Sequence, residues 1–156
     1  MNGNEVRYSV LEIEEPAWAA RAADFALAAL DELGKRNWLV SLVLCGDGMI
    51  HKLNRDYRRI DAPTDVLSFT LGEYEPVEEG KSAEPVYIAG DIVISVPAME
   101  RNSSEFHVSP DEELRRLIVH GLLHLSGMDH ADNSPEQPML LQQEDLVRRL
   151  GGSIIL

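Results

Sequence analysis

A chain of 156 residues with 44% apolar and 26% charged side chains has the make-up of one ordinary globular domain. It can bury roughly 70% of the surface its unfolded form exposes, which excludes a disordered tail. A net charge of −13 excludes general attraction to a polyanion, so any nucleic-acid partner must be met by a local basic patch.

From the front, Met1-Asn2-Gly3-Asn4-Glu5 lacks the basic start and apolar run of a secretory signal. Val6, Tyr8 and Val10 alternate with polar residues and predict a first strand. Pro16 then opens an Ala-rich helix with Trp18, Ala22, Phe25, Ala29 and Leu33 at helical spacing, closed by Gly34. Trp38 to Leu44 is an apolar, β-prone run and predicts a buried strand. The charge-free stretch around it, Asn37 to Gly46, is too short to span a bilayer. Cys45, the sole cysteine, has no disulfide partner and reads as a buried thiol. With no membrane segment expected, the predicted setting is cytoplasmic.

Asp47 stands where it would cap a short helix through Ile50, Leu53 and Asn54, and Pro63 makes the stretch from Tyr57 to Asp65 irregular. Val66 to Leu71 predicts a strand. The segment from Gly72 to Pro85, with Glu73, Glu75, Glu78, Glu79 and Glu84, is expected as a solvated, mobile loop. Val86 to Ser95 predicts a further strand interrupted at Gly90-Asp91, and Ser95 with Pro97 starts a helix. The next helix has Ser109 as N-cap, Pro110 at its first position and Glu112 three residues after the cap, a capping box; Leu114, Leu117, Ile118, Gly121, Leu122 and Leu125 form its apolar face. A last helix is expected from about Pro135 to Leu150, ending at Gly151-Gly152. Without repeats or linkers, the expectation is one α+β domain over residues 1–156, a mixed sheet of about four strands packed with about five helices.

Three of the five histidines fall in the string from His120 through His124 to His130. A helix turns about 100° per residue, so His120 and His124 lie roughly 40° apart, one turn above the other, where both imidazoles reach one ion. A continuing helix would carry His130 about 9 Å further along the axis. Gly127 stands where a left-handed residue ends the helix and returns His130 to the site as a third ligand. His120 and His124 sit at the edge of the apolar arc, with Glu113 and Arg116 on their side, so core filling explains them poorly. Three imidazoles with a fourth position open form a catalytic zinc arrangement, one ion per chain, in which a coordinated water becomes acidic enough to serve as nucleophile. Nickel, copper and iron also suit imidazole ligands. Asp129 and Asp132 either orient an imidazole or cap a surface turn, and the turn reading is placed slightly ahead. His51 and His107 lack such company. The metalloprotease pattern has a glutamate directly after the first histidine and this chain has Gly121, so a zincin-like metal helix is expected without the usual peptidase base; Glu113 is only a weak substitute.

Lys52, Arg55, Arg58 and Arg59 place four cations in eight residues, a concentration that invites a phosphate. Lys52 and Arg55 are explained by the C-terminal dipole of a helix; Arg58 precedes the irregular segment and is expected to project into a cleft. Asn54, Tyr57, Arg58, Asp61 and the run Pro63 to Phe69, followed by Gly90-Asp91-Ile92 and the histidine string, together resemble the YbeY family of bacterial endoribonucleases and ribosomal RNA maturation factors. The resemblance implies a zinc site at His120, His124 and His130 and a functional arginine at Arg58. It also implies single-stranded RNA as substrate, maturation of small-subunit ribosomal RNA and ribosome quality control in the cytoplasm, with the small subunit or its proteins as partners. Two rival readings remain open on the residues alone: an amide or peptide hydrolase at the same metal, and a ribosome-associated assembly factor whose metal is structural.

Overall fold

The computed structural model describes residues 2–76, 84–152 and 155–156. β1 (Glu5–Leu11), α1 (Ala19–Glu32) and β2 (Trp38–Cys45) form a parallel β-α-β unit, followed by α2 (Asp47–Arg58), β3 (Val66–Tyr74) and β4 (Tyr87–Ser95). Three helices complete the chain: α3 (Val96–Glu105), α4 (Pro110–Leu125) and α5 (Pro138–Arg149). The sheet order is β1-β2-β4-β3, with β1, β2 and β4 parallel and β3 antiparallel to β4. The expected mixed four-stranded sheet with five helices is therefore what forms among the described residues, and β3 lies at its edge.

The two faces of the sheet carry unequal loads because side chains alternate along each strand. Val40, Leu42 and Leu44 of β2 and Ile92 and Ile94 of β4 enter the large core, together with α1, α4 and α5. Cys45, Val93 and Leu67 face the other way, toward Ile50, Met49 and Leu53 of α2. Burial raises the Cys45 thiol to about 11, followed by the nearby Glu12 and Asp47 charges, so this cysteine is a packing residue at neutral pH. α4 is the central element of the large core. Leu114, Ile118 and Leu122 are fully buried, each stabilising the fold by about 1.5–3 kcal/mol relative to exposure.

Several local expectations change on contact with tertiary structure. Gly46 is the N-cap of α2, and Asp47, one residue inside, turns away to accept from Ser95 Oγ at 2.8 Å and from both terminal nitrogens of Arg101 at 2.8 and 2.9 Å. A bidentate guanidinium on another helix outcompetes the local capping bond. Tyr57 and Arg58 belong to the last turn of α2, so the irregular stretch begins only at Arg59, which adopts a left-handed conformation (φ 60°). β3 runs beyond Gly72 through Glu73 and Tyr74, paired with Ile88 and Tyr87. The start of the acidic insertion is therefore strand, while Glu78 and Glu79 lie outside the described residues. β4 is continuous, and the expected interruption is a register shift beside Gly90. At Gly90 (φ 143°) a Cβ would stand 2.0 Å from the Phe69 carbonyl oxygen, so only glycine permits β3 to close on β4 there.

The caps of α3 and α4 form as expected on the serine side: Ser95 Oγ accepts from the Ala98 N–H and Ser109 Oγ from the Glu112 N–H. The reciprocal half of the α4 capping box is replaced, because the Glu112 carboxylate accepts from Arg116 instead. α5 begins three residues later than expected, at Pro138.

Candidate metal centre

α4 delivers His120 and His124 one turn apart, and their Nε2 atoms approach to 3.1 Å. The helix then stops. Gly127 takes a positive φ of 96°, and Met128 N–H returns to the Leu123 carbonyl at 3.1 Å, a left-handed helix ending. The chain doubles back, and His130 brings a ring nitrogen to the pair: one donor atom from each of His120, His124 and His130 lies within 4.8 Å of the others. The three residues singled out by spacing are thus brought together, all half-buried.

The outer nitrogen of every ring is engaged. His124 Nδ1 faces the Met128 carbonyl at 3.1 Å, His130 Nδ1 the Asp132 carbonyl at 2.9 Å, and His120 Nδ1 the Gln143 side-chain oxygen at 2.7 Å. A carbonyl oxygen only accepts, so each Nδ1 carries the proton and each Nε2 presents a lone pair. Lone pairs 3.1 Å apart repel unless a cation lies between them. Two imidazole nitrogens on a tetrahedral zinc would be roughly 3.3 Å apart, so the donor set fits a divalent transition metal. Burial, and then the neighbouring imidazoles, hold His120 and His124 below the usual histidine range, with the Gln143 bond to His120 opposing; both are neutral, as metal ligands must be.

The aspartates beside the third histidine serve the turn. Asp129 accepts from the His130 N–H and Asp132 from the Ser134 N–H, and it is the backbone of Asp132, not its carboxylate, that orients His130. His51 pairs with Asp61 at 2.8 Å, and His107 is exposed. Glu113 is buried between Asn102 and Arg116, each bonding one of its oxygens, and desolvation raises its pKa. Its occupied oxygens make it a structural carboxylate.

Arg58 arrives from the opposite side. Its Nη2 donates to the Ser68 carbonyl, and its guanidinium lies 5.4 Å from the centre of the Phe69 ring, on which Tyr57 also packs edge-on. Ser95 N–H donates to the Asp65 carbonyl at 2.9 Å. The two-residue alternation of an antiparallel pair then turns the Ser68 carbonyl outward, to the open edge of the sheet. Asn54 fixes the intervening loop by donating to the Ala62 carbonyl at 2.9 Å. Arg58, His120 and His124 consequently line one cavity of about 460 Å³, with Thr64, Val66 and Ser68. Lys52, Arg55 and Arg59 line neither this cavity nor the one of about 790 Å³ on the α5 side of His120 and His130.

Sequence reasoning passed over Gln143, Glu144 and the link to Arg116. Their signal was present: Met139, Leu146 and Val147 mark the buried stripe of α5, and Gln143 is a polar residue within it, 6% exposed. Gly121 also gains a reason. A Cβ there would press on the Ile92 side chain at 2.8–3.0 Å, so the position after the first histidine is packed closely against β4.

A family model described as Endoribonuclease YbeY matches residues 4–151. Proteins of that name from Treponema denticola and Treponema pallidum (strain Nichols) are 51% and 46% identical over 127 and 145 residues, covering 81% and 92% of this chain and 80% and 88% of theirs. The one from Heliobacterium modesticaldum is 38% identical over 151 residues, 90% of this chain and 87% of its own. A Thermotoga maritima protein solved in solution superposes with a TM-score of 0.58 at 27% identity, over 94% of this chain and 89% of its own.

Proposed function

The chain belongs to the Endoribonuclease YbeY family and is an RNA-hydrolysing enzyme, and from that premise we propose how it works. It is a single-strand-specific, metal-dependent endoribonuclease in small-subunit ribosomal RNA maturation and quality control, with zinc at His120, His124 and His130 and Arg58 on the scissile phosphate. The observation that carries this reading is the shared cavity: the imidazole pair and Arg58, anchored on the β3 edge, face the same 460 Å³ space. When bound, the metal supplies Lewis acidity toward a phosphoryl oxygen and toward water.

The residues do the rest. His120 and His124 stay neutral and present lone pairs because burial disfavours their charged forms. Among the described residues Arg58 makes one hydrogen bond, to Ser68, and its other donors can clamp two phosphate oxygens and offset charge that builds on them. The rival peptidase reading loses two supports. Glycine stands where the peptidase base would be, with Ile92 crowding any side chain there, and an extended peptide adding to the β3 edge would need the outward Ser68 carbonyl that Arg58 already holds.

A net charge of −13 makes free RNA a poor long-range target, which favours delivery of the substrate by the small ribosomal subunit or its proteins. Such delivery fits a cytoplasmic enzyme. Among the described residues no helix is long and apolar enough to cross a membrane. Metal analysis coupled to cleavage of single-stranded RNA tests the proposal on untreated, chelated and His124→Ala protein. About one zinc per chain is expected, with cleavage lost in the second and third samples. RNA left uncut by metal-replete protein, with Arg58→Ala changing nothing, would sink it. Product ends separate attack by water from attack by the RNA 2′-hydroxyl, since only the latter leaves a cyclic phosphate.

A further inference from the structure

The three imidazoles are held by unlike partners. For His124 and His130 the acceptor at Nδ1 is a backbone carbonyl, which has one orientation and one role. For His120 it is the side-chain amide of Gln143, a group that presents an acceptor in one orientation and two donors when flipped. Flipped, it would drive His120 to the other tautomer, with a proton on Nε2 where a metal needs a lone pair. Something has to decide which way Gln143 points.

The hydrogen bonds behind it do so unambiguously. Arg116, which can only donate, places Nε and Nη2 on the two carboxylate oxygens of Glu144, both at 2.9 Å. Glu144, ionised because that guanidinium holds its pKa below the usual carboxylate range, can only accept. It takes a bond from Gln143 Nε2 at 3.1 Å. Gln143 must therefore donate on that side and accept on the other, where His120 Nδ1 lies at 2.7 Å. Each role is forced by the one before it, from a group without acceptors to a ring with one choice left. Gln143 is 6% exposed and no buried side-chain polar atom among the described residues lacks a partner, so the amide cannot turn without orphaning a bond.

We propose that Arg116, Glu144 and Gln143 form a positioning relay that fixes His120 as its Nδ1–H tautomer and so sets the affinity of the triad for its metal. None of the three is a catalytic residue: they touch His120 or one another. The relay spans α4 and α5, so it also makes the docking of the last helix a condition of metal binding. The inference rests on the metal reading of the triad but not on the RNA reading.

The test measures two properties that need no RNA. In metal-free, nitrogen-15-labelled protein above pH 7, long-range proton–nitrogen correlation spectra report which ring nitrogen of His120 is protonated; competition with a chelating dye reports the zinc dissociation constant. Wild type is expected to show Nδ1–H at His120. Gln143→Leu, close in size and without polar atoms, should shift His120 toward Nε2–H and weaken zinc about 10–100-fold. The double swap Gln143→Glu with Glu144→Gln keeps an acceptor toward His120 and a donor behind it, and should keep Nδ1–H and bind zinc at least about tenfold more tightly than Gln143→Leu. Should the leucine variant misfold by circular dichroism, Glu144→Leu replaces it: it acts on a side chain 53% exposed and should populate both tautomers. Unchanged tautomer and affinity in the folded leucine variants, or equal losses for Gln143→Leu and the double swap, overturn the relay. Wild-type protein that binds zinc yet cuts no RNA would remove the proposed activity and leave the relay standing.

Discussion

On the α4 side of the cleft all three imidazoles are half-buried, each with its outer nitrogen bonded, and one is backed by a further amide, carboxylate and guanidinium. On the β3 side Arg58 is exposed, held by one carbonyl and an aromatic ring. The contrast matches the demands that the proposed function makes on each wall. A metal site gains affinity from ligands ordered before the ion arrives. A site for a flexible polyanion needs a cation that can follow the phosphate. Changes on the first wall should therefore alter metal content, and changes on the second should alter turnover with the metal still in place.

The sharpest way to break this division is at its two centres. His124→Ala removes a ligand and should lower RNA cleavage by roughly a thousandfold or more with loss of bound metal; retained metal with lost activity would mean the triad is not the ligand set. Arg58→Ala should cost about 10²–10³ in kcat/KM while metal content, read by elemental analysis, stays at the wild-type level. A loss of metal in that variant would erase the distinction between the walls. Gly121→Ala tests the support beneath the metal helix. Its methyl would enter the Ile92 side chain, and a loss of about 1–3 kcal/mol in urea unfolding is expected; an unchanged midpoint would show that α4 can lift from β4 at no cost. Ser109→Ala, at the far end of the same helix, should cost about 1 kcal/mol and leave zinc affinity untouched.

The smallest effect concerns pH in the metal-free protein. Burial lowers the His120 and His124 pKa values, so the folded state holds these protons more weakly than the unfolded chain does. Their contribution is complete above the ordinary imidazole value of 6.5 and is lost as pH falls from there toward the depressed folded values. Thermal melts between pH 8 and 5 should show a decline beginning near that value, and a flat profile would mean the imidazoles are solvated on both sides of the transition. Glu113 acts in the opposite sense: its pKa is raised by burial, so its contribution falls as pH rises from the ordinary carboxylate value of 4.5.

The parts of this protein that the chain settled by itself are those in which cause and effect lie within a few residues. The angle between His120 and His124 follows from helical pitch, the stop at Gly127 from the freedom of glycine, and the start of α4 from the hydroxyl of Ser109; so the convergence of the three histidines was legible before any contact was known. Tertiary structure alone decided which of several available partners each polar side chain would take. Asp47 left its helix end for Arg101, Glu112 left its capping box for Arg116, Arg58 found the outward carbonyl of Ser68, and Gln143 met His120 from 23 residues away. Local sequence fixes the backbone because dihedral preferences are short-ranged. It leaves such choices open because donors and acceptors are interchangeable until packing of the strands and helices brings particular ones within 3 Å.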